Sequence, residues 1–277
     1  MVGSGNKYVF EPDYAIPPGQ TLREVMESLG MSQAELAKRT DLTVQSLNRI
    51  FKGAQPITYE SANRLELATG VAARMWNNLE AQYREQLAKI HERDRLEADL
   101  AWLEEIPTAE LVRRGILPKT KDKVLLLREG LKFFGVSSVT AWKRIWGAPA
   151  VAARRSPCFD SKAGAASTWI RLGELQAREI DCRPFDRDCF RATLKQIREL
   201  TREPAQTFEP KMKRLCAESG VAVALLKEMK HVPWNGATKW LTAHKAMILL
   251  CLRGKGEDRF WFSFFHEAGH VLNDSKK

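Results

Sequence analysis

A chain of 277 residues, 44% hydrophobic and 28% charged, can bury more than one core. Its longest apolar run, about seven residues in "AMILLCL", falls far short of the roughly 20 that span a bilayer, and "MVGSGNKYVF" lacks the basic-then-apolar order of a signal peptide; the expected location is cytoplasmic, with no membrane partner. The net charge of +10 matches the excess in residues 111–200, which hold 19 Lys/Arg against 9 Asp/Glu, so this stretch reads either as a solvated basic helical surface or as a face for acidic partners such as nucleic acid.

Residues 1–16 form a leader containing "EPDYAIPPGQ" up to its second half. Helical spacing then begins with Leu22, Val25, Met26 and Leu29 and is closed by Gly30. Ser32 followed by Glu35 is a capping box that opens a second helix over about 32–39. Thr43 can cap a third, "VQSLNRIFKG", with Leu47 and Ile50 or Phe51 inward, while Gln45, Ser46, Asn48, Arg49 and Lys52 face outward. A fourth starts at Thr58, buries Ala62, Leu65 and Leu67 or Ala68, and stops at Gly70. One long helix or two follow, apolar at Leu79, Tyr83, Leu87 and Ile90 and interrupted by "HERDR", which marks a seam between domains.

Residues 108–215 are helical in pattern, with breaks near "GILPKTKD", "WGAPA", "RRSPCFDSKAG" and "TREPAQ". After Gly220, "VAVALL" and "KAMILLCL" read as buried strands, "GKGED" as the turn after the second, and Asp258 as the cap of "RFWFSFFHEAGHVL", a helix whose aromatic residues mark it as packed on several sides. The five cysteines contain no CxxC pair, and their odd number fits reduced thiols rather than a disulfide framework.

The second and third helices, joined by a tight turn, have the helix-turn-helix arrangement, in which one helix fits the major groove. Gln33, Thr43, Gln45, Ser46, Asn48, Arg49 and Lys52 are the candidate DNA-binding residues: Gln, Asn, Arg and Ser read base edges, and Lys holds phosphate. A helical bundle without a nucleic-acid role would also present a polar outer face. Pro18-Gly19, "SQAELA", the polar third helix ending at Gly53, "PIT" at Pro56 to Thr58, and "MWNNLEAQY" together resemble the HigA-type antitoxin helix-turn-helix, within the phage-repressor-like class, over residues 17–83. The resemblance implies a homodimeric regulator bound to a double-stranded DNA operator, often its own, with a toxin as a further protein partner.

His266, Glu267 and His270 spell HExxH. Two histidines four residues apart on a helix project from one face about 6 Å apart along the axis and can reach a single tetrahedral Zn²⁺, while Glu267 can act as general base toward a water held there. A buried helix with two incidental histidines is the alternative. "SGVAVALLKEM" and "PWNGATKWLTAHKAMILLCLRGKGEDRFWFSFFHEAGHVL" resemble the ImmA/IrrE-type zinc metallopeptidase domain over residues 219–272. This second resemblance implies cleavage of a partner regulator and a third ligand, commonly a Glu, on a further helix downstream.

Seven residues follow His270. Asp274, one helical turn on, lies roughly 12 Å along the axis from His266, too far for all three to hold one ion. His231 and His244 flank strands and read as ordinary surface histidines. The third ligand is therefore expected to be lost, and the C-terminal domain to be incomplete.

The expected fold is α+β, mostly α: a leader (1–16), a helix-turn-helix bundle (17–90), a helical linker (91–107), a helical middle region (108–215), and an incomplete metallopeptidase domain (216–277) with a small sheet and the HExxH helix. The expected function is a DNA-binding regulator of antitoxin or repressor type fused to a zinc peptidase domain that is weak in zinc and in activity as it stands. The alternatives are a non-enzymatic autorepressor whose C-terminal part is a sensor or partner-binding scaffold, and a basic middle region that binds toxin or nucleic acid.

Overall fold

The computed structural model describes residues 14–147, 163–252 and 257–274. It is α+β and mostly helical, and by internal contacts it divides into two units, 1–98 and 99–277.

The first unit holds α1 (Pro18–Ser28), α2 (Gln33–Thr40), α3 (Val44–Phe51), α4 (Tyr59–Thr69) and α5 (Ala73–Ala98). Side-chain caps punctuate it: Ser32, Thr43 and Thr58 accept the backbone N–H groups of Glu35, Ser46 and Ser61 at 3.2, 3.0 and 3.1 Å. The carboxylate of Glu35 pairs with Arg39 one turn on. Leu22, Met26, Leu36, Leu47, Ile50, Phe51, Leu65 and Trp76 form the core, so both alternatives in the third helix, Ile50 and Phe51, point inward. In α4 the core takes Ala68, and Leu67 is 89% exposed. Leu29, expected within the first helix, caps it and is exposed. The run "HERDR" does not interrupt α5, which continues as one helix to Ala98.

In the second unit a short 3-10 turn (Leu100–Glu104) precedes α6 (Thr108–Arg113), α7 (Lys123–Phe134), α8 (Val139–Trp146), α9 (Ala163–Arg178), α10 (Arg187–Glu199), a second 3-10 turn (Leu200–Arg202) and α11 (Ala205–Glu218). Then come β1 (Val221–Leu226), β2 (Gly236–Thr242), β3 (Lys245–Cys251) and α12 (Glu257–Asn273). The expected break at "RRSPCFDSKAG", most of "WGAPA" and most of the "GKGED" turn lie outside the described residues.

The sheet order is β1-β3-β2, with β1 parallel to β3 (Val221 opposite Ala246) and β2 antiparallel to it (Gly236 opposite Leu250). β2 is a strand that the sequence reading did not identify. One face of the sheet carries Val221, Val223, Ala246, Ile248 and Leu250 against Phe190, Phe208, Met212, Trp261 and Phe264 from α10, α11 and α12. α9 packs on the other face, where Gly173 sits so close to Leu249 that an added Cβ would lie 2.6 Å from its Cδ2. Covering on both faces explains why β1, and β3 after Lys245, are continuously apolar rather than alternating.

α12 begins at Glu257, one residue before Asp258, which therefore lies within the helix and not at its cap. Trp261 and Phe264 are buried, Phe260 and Phe265 are half-buried, and Phe262 is 74% exposed, so the helix is not enclosed on all sides. Cys182, Cys189, Cys216 and Cys251 are not joined in disulfides, and burial pushes the thiols of Cys182 and Cys216 up in pKa.

Candidate functional site

The turn between α2 and α3 is tight because Asp41 takes a left-handed conformation (φ 54°). Three hydrogen bonds hold it: Leu42 N–H to the Ala37 carbonyl at 3.1 Å, Thr40 Oγ1 to the Leu36 carbonyl at 2.7 Å, and Arg64 Nη1 to the Asp41 carbonyl at 3.0 Å. α1 crosses α3 through Gly19, where a Cβ would stand 2.2 Å from the Ile50 carbonyl oxygen; only a residue without one allows that approach. Behind α3, the buried Glu80 accepts from Ile57 N–H at 3.0 Å and from Arg84 Nε at 2.7 Å.

On this frame the seven candidate residues separate into two groups. Gln45, Asn48, Arg49 and Lys52 are exposed and spaced i, i+3, i+4, i+7, which aligns them along one face at α3. Gln33, Thr43 and Ser46 take part in hydrogen bonds inside the domain. Gln33 Nε2 donates to the Val44 carbonyl at 3.1 Å, Thr43 caps α3, and Ser46 Oγ accepts from Gln55 Nε2 at 2.7 Å.

In the second unit, the HExxH residues sit on α12 against β2 and β3. His266 is exposed and stacks on Phe262, with ring centroids 6.2 Å apart and an interplanar angle of 15°. His270 is half-buried. Their Nε2 atoms lie 3.2 Å apart. Two nitrogens bound at 2.0–2.1 Å to a tetrahedral Zn²⁺ stand about 3.3 Å apart, so this spacing fits one edge of such a site. Among the described residues, no three His, Cys, Asp or Glu come together as a metal-binding group. His231 and His244 are exposed.

Glu267 is 7% exposed, beside the strand the sequence reading missed. Thr238 Oγ1 donates to its Oε2 at 2.7 Å. Gly236 makes room for it: a Cβ there would lie 2.7 Å from Glu267 Cγ and 2.9 Å from Oε1. Burial raises the Glu267 carboxyl above its ordinary pKa, against the opposing pull of Thr238, His270 and His266. A carboxylate so placed is suited to accepting a proton.

β2 is held from its other face as well. Lys239 Nζ lies 2.5 Å from Glu174 Oε1 and 4.8 Å from the centre of the Trp146 ring. Glu174 Oε2 accepts from Arg171 Nη1 at 2.9 Å, and Arg171 Nε donates to the Phe133 carbonyl at 2.7 Å. Successive residues of one strand, Thr238 and Lys239, thus connect the HExxH helix and the helical middle region.

Residues 22–76 match the family model described as "HTH_3: Helix-turn-helix". No curated protein matches. A solved structure similar to this chain is that of PA4674 in complex with its operator DNA, from Pseudomonas aeruginosa, at 29% identity; the alignment covers 27% of this chain and 82% of that one, with a TM-score of 0.26. The N-terminal part of the chain is a helix-turn-helix domain.

Proposed function

We propose that the chain is a DNA-binding transcriptional regulator that acts as a homodimer on an operator. The supporting observation is the exposed row Gln45, Asn48, Arg49 and Lys52 along α3 and its C-terminal cap, in a domain that matches the helix-turn-helix model. In this reading Gln45, Asn48 and Arg49 contact base edges and Lys52 holds phosphate, while Gln33, Thr43 and Ser46 fix the pose of α3. Selection of bound duplexes from a random pool, followed by fluorescence anisotropy at several salt concentrations, tests it. Enrichment of one motif is expected; equal affinity for every duplex overturns it.

The same proposal gives the second unit an ImmA/IrrE-like zinc metallopeptidase function, with a protein regulator as substrate. His266 and His270 would hold Zn²⁺, and the 3.2 Å spacing of their Nε2 atoms supports this. Bound zinc would supply an acidified water as nucleophile. Glu267 accepts a proton at its carboxylate, Thr238 keeps that carboxylate aimed, and the apolar shell of Trp261 and Phe264 keeps bulk water from the helix's inner face. A second reading, a non-enzymatic repressor with a partner-binding C-terminal scaffold, is supported by the exposed Phe262 on the outer face of α12. Zinc stoichiometry after dialysis, measured with Glu267→Gln alongside, separates the two. Retention of zinc by both proteins, with cleavage of a candidate regulator by the wild type alone, supports the peptidase; no zinc in either supports the scaffold.

A further inference from the structure

We propose that Asp274 is a positioning residue for a divalent cation at the HExxH helix, acting by holding the imidazole of His270 so that its Nε2 faces His266. The proposal rests on the metal reading above and adds a role for a residue outside the HExxH motif.

Asp274 Oδ2 lies 2.9 Å from His270 Nδ1. The backbone at Asp274 is itself fixed, since its N–H donates to the His270 carbonyl at 3.0 Å, continuing the helical pattern for one more residue. A carboxylate at Nδ1 does two things to a neutral imidazole. It places the ring proton on Nδ1, and it thereby leaves the Nε2 lone pair free for a cation. The remaining geometry agrees: Nε2 of His270 points at Nε2 of His266, 3.2 Å away. With the His270 proton on Nδ1, that contact requires a proton on Nε2 of His266, donated to His270.

The two histidines are therefore unequal. His270 stands in the tautomer that a metal ligand needs, whereas His266 must move its ring proton from Nε2 to Nδ1, through solvent, when a cation arrives. No net proton is released by that exchange. His270 is the anchor and His266 the ligand that rearranges. Because the Asp274 side chain is 60% exposed, the contact acts on ring orientation rather than on overall stability.

The test uses the full chain and has two readouts. Long-range ¹H–¹⁵N NMR at about pH 8, where an ordinary imidazole is neutral, reports each tautomer without metal. Competition with a chromophoric chelator then reports Zn²⁺ affinity. In the metal-free wild type we expect Nδ1–H on His270 and Nε2–H on His266, with both Nε2 atoms bound after zinc is added. Asp274→Ala should shift His270 toward Nε2–H and weaken zinc binding about 10–100-fold. Asp274→Asn retains an acceptor oxygen, so its tautomer should stay and its loss in affinity should be smaller. Unchanged tautomer and affinity in Asp274→Ala overturn the proposal. A wild type that binds no zinc overturns it together with the metal reading; the metal-free tautomer distinguishes this from failure of the Asp274 contact alone.

Discussion

A single hydroxyl, Thr238 Oγ1, lies 2.7 Å from the Glu267 carboxylate and 3.1 Å from the Glu267 backbone carbonyl, so the edge strand holds this residue of α12 by both its side chain and its main chain. Thr238→Val should destabilise the unit by about 1–3 kcal/mol near neutral pH, because it leaves a buried carboxylate short of a donor. Urea denaturation compared with Thr238→Ser, which keeps the hydroxyl, checks this; equal losses in the two variants would point to the methyl group instead.

The same carboxylate gives stability a pH dependence. Burial raises its pKa in the folded chain, so between the unfolded and folded values the folded state binds more protons than the unfolded one. Its contribution is therefore most favourable at low pH and declines as pH rises from about 4 upward. Glu267→Gln should remove this decline from the metal-free protein, and Thr238→Val should carry it to higher pH, since the hydroxyl opposes the upward shift. Urea midpoints across the range for the three proteins measure it.

On the DNA side, Arg49→Ala should cost about 1–3 kcal/mol on a selected operator and relax specificity at the base it contacts. Lys52→Ala should weaken all duplexes alike and lower the salt slope by about one. Anisotropy titrations on specific and random DNA separate the two; indistinguishable profiles would remove the division of labour between them.

Gly19→Ala brings a methyl to within 2.2 Å of the Ile50 carbonyl and 2.4 Å of Phe51 Cα, both on backbone that cannot rotate away. It should cost at least about 1–3 kcal/mol of stability in the helix-turn-helix domain. Thermal unfolding of residues 1–98 by circular dichroism, read within the full chain, is the measurement, and an unchanged midpoint would show that α1 can move.

Glu174→Gln leaves Arg171 and Lys239 without their shared carboxylate in a buried setting. Breaking such a pair costs about 3–5 kcal/mol when one charge stays unmatched. The double variant Glu174→Gln with Lys239→Met should recover part of that loss in denaturation experiments; no recovery would show that Arg171 alone sets the penalty.

The features legible in the sequence are those closed by local chemistry. Ser32, Thr43 and Thr58 cap helices by reaching amides three residues ahead, and His266 and His270 meet because four residues make about one helical turn. β2 was not legible because its polar residues have distant partners: Thr238 meets Glu267, 29 positions on, and Lys239 meets Glu174, 65 positions back. Viewed locally, Thr and Lys in that run suggest solvent. The rise of the helix separates Asp274 from His266, and its contact is with Nδ1 of His270, the nitrogen turned away from His266. For Gly236, closeness to Glu267 is a tertiary fact with no local signature.

The strand order carries a consequence for synthesis. Among the described residues, β1 has no strand partner but β3, and Val221 is translated 25 positions before the Ala246 it faces. At about 5–20 residues per second, that is a wait of roughly one to five seconds on the ribosome. β2 also precedes β3, so the central strand of the sheet is the last one made. Until it is threaded between its two neighbours, "VAVALL" presents an open apolar edge, and a pause in translation within this window would expose the nascent chain to mispairing that the finished protein never meets.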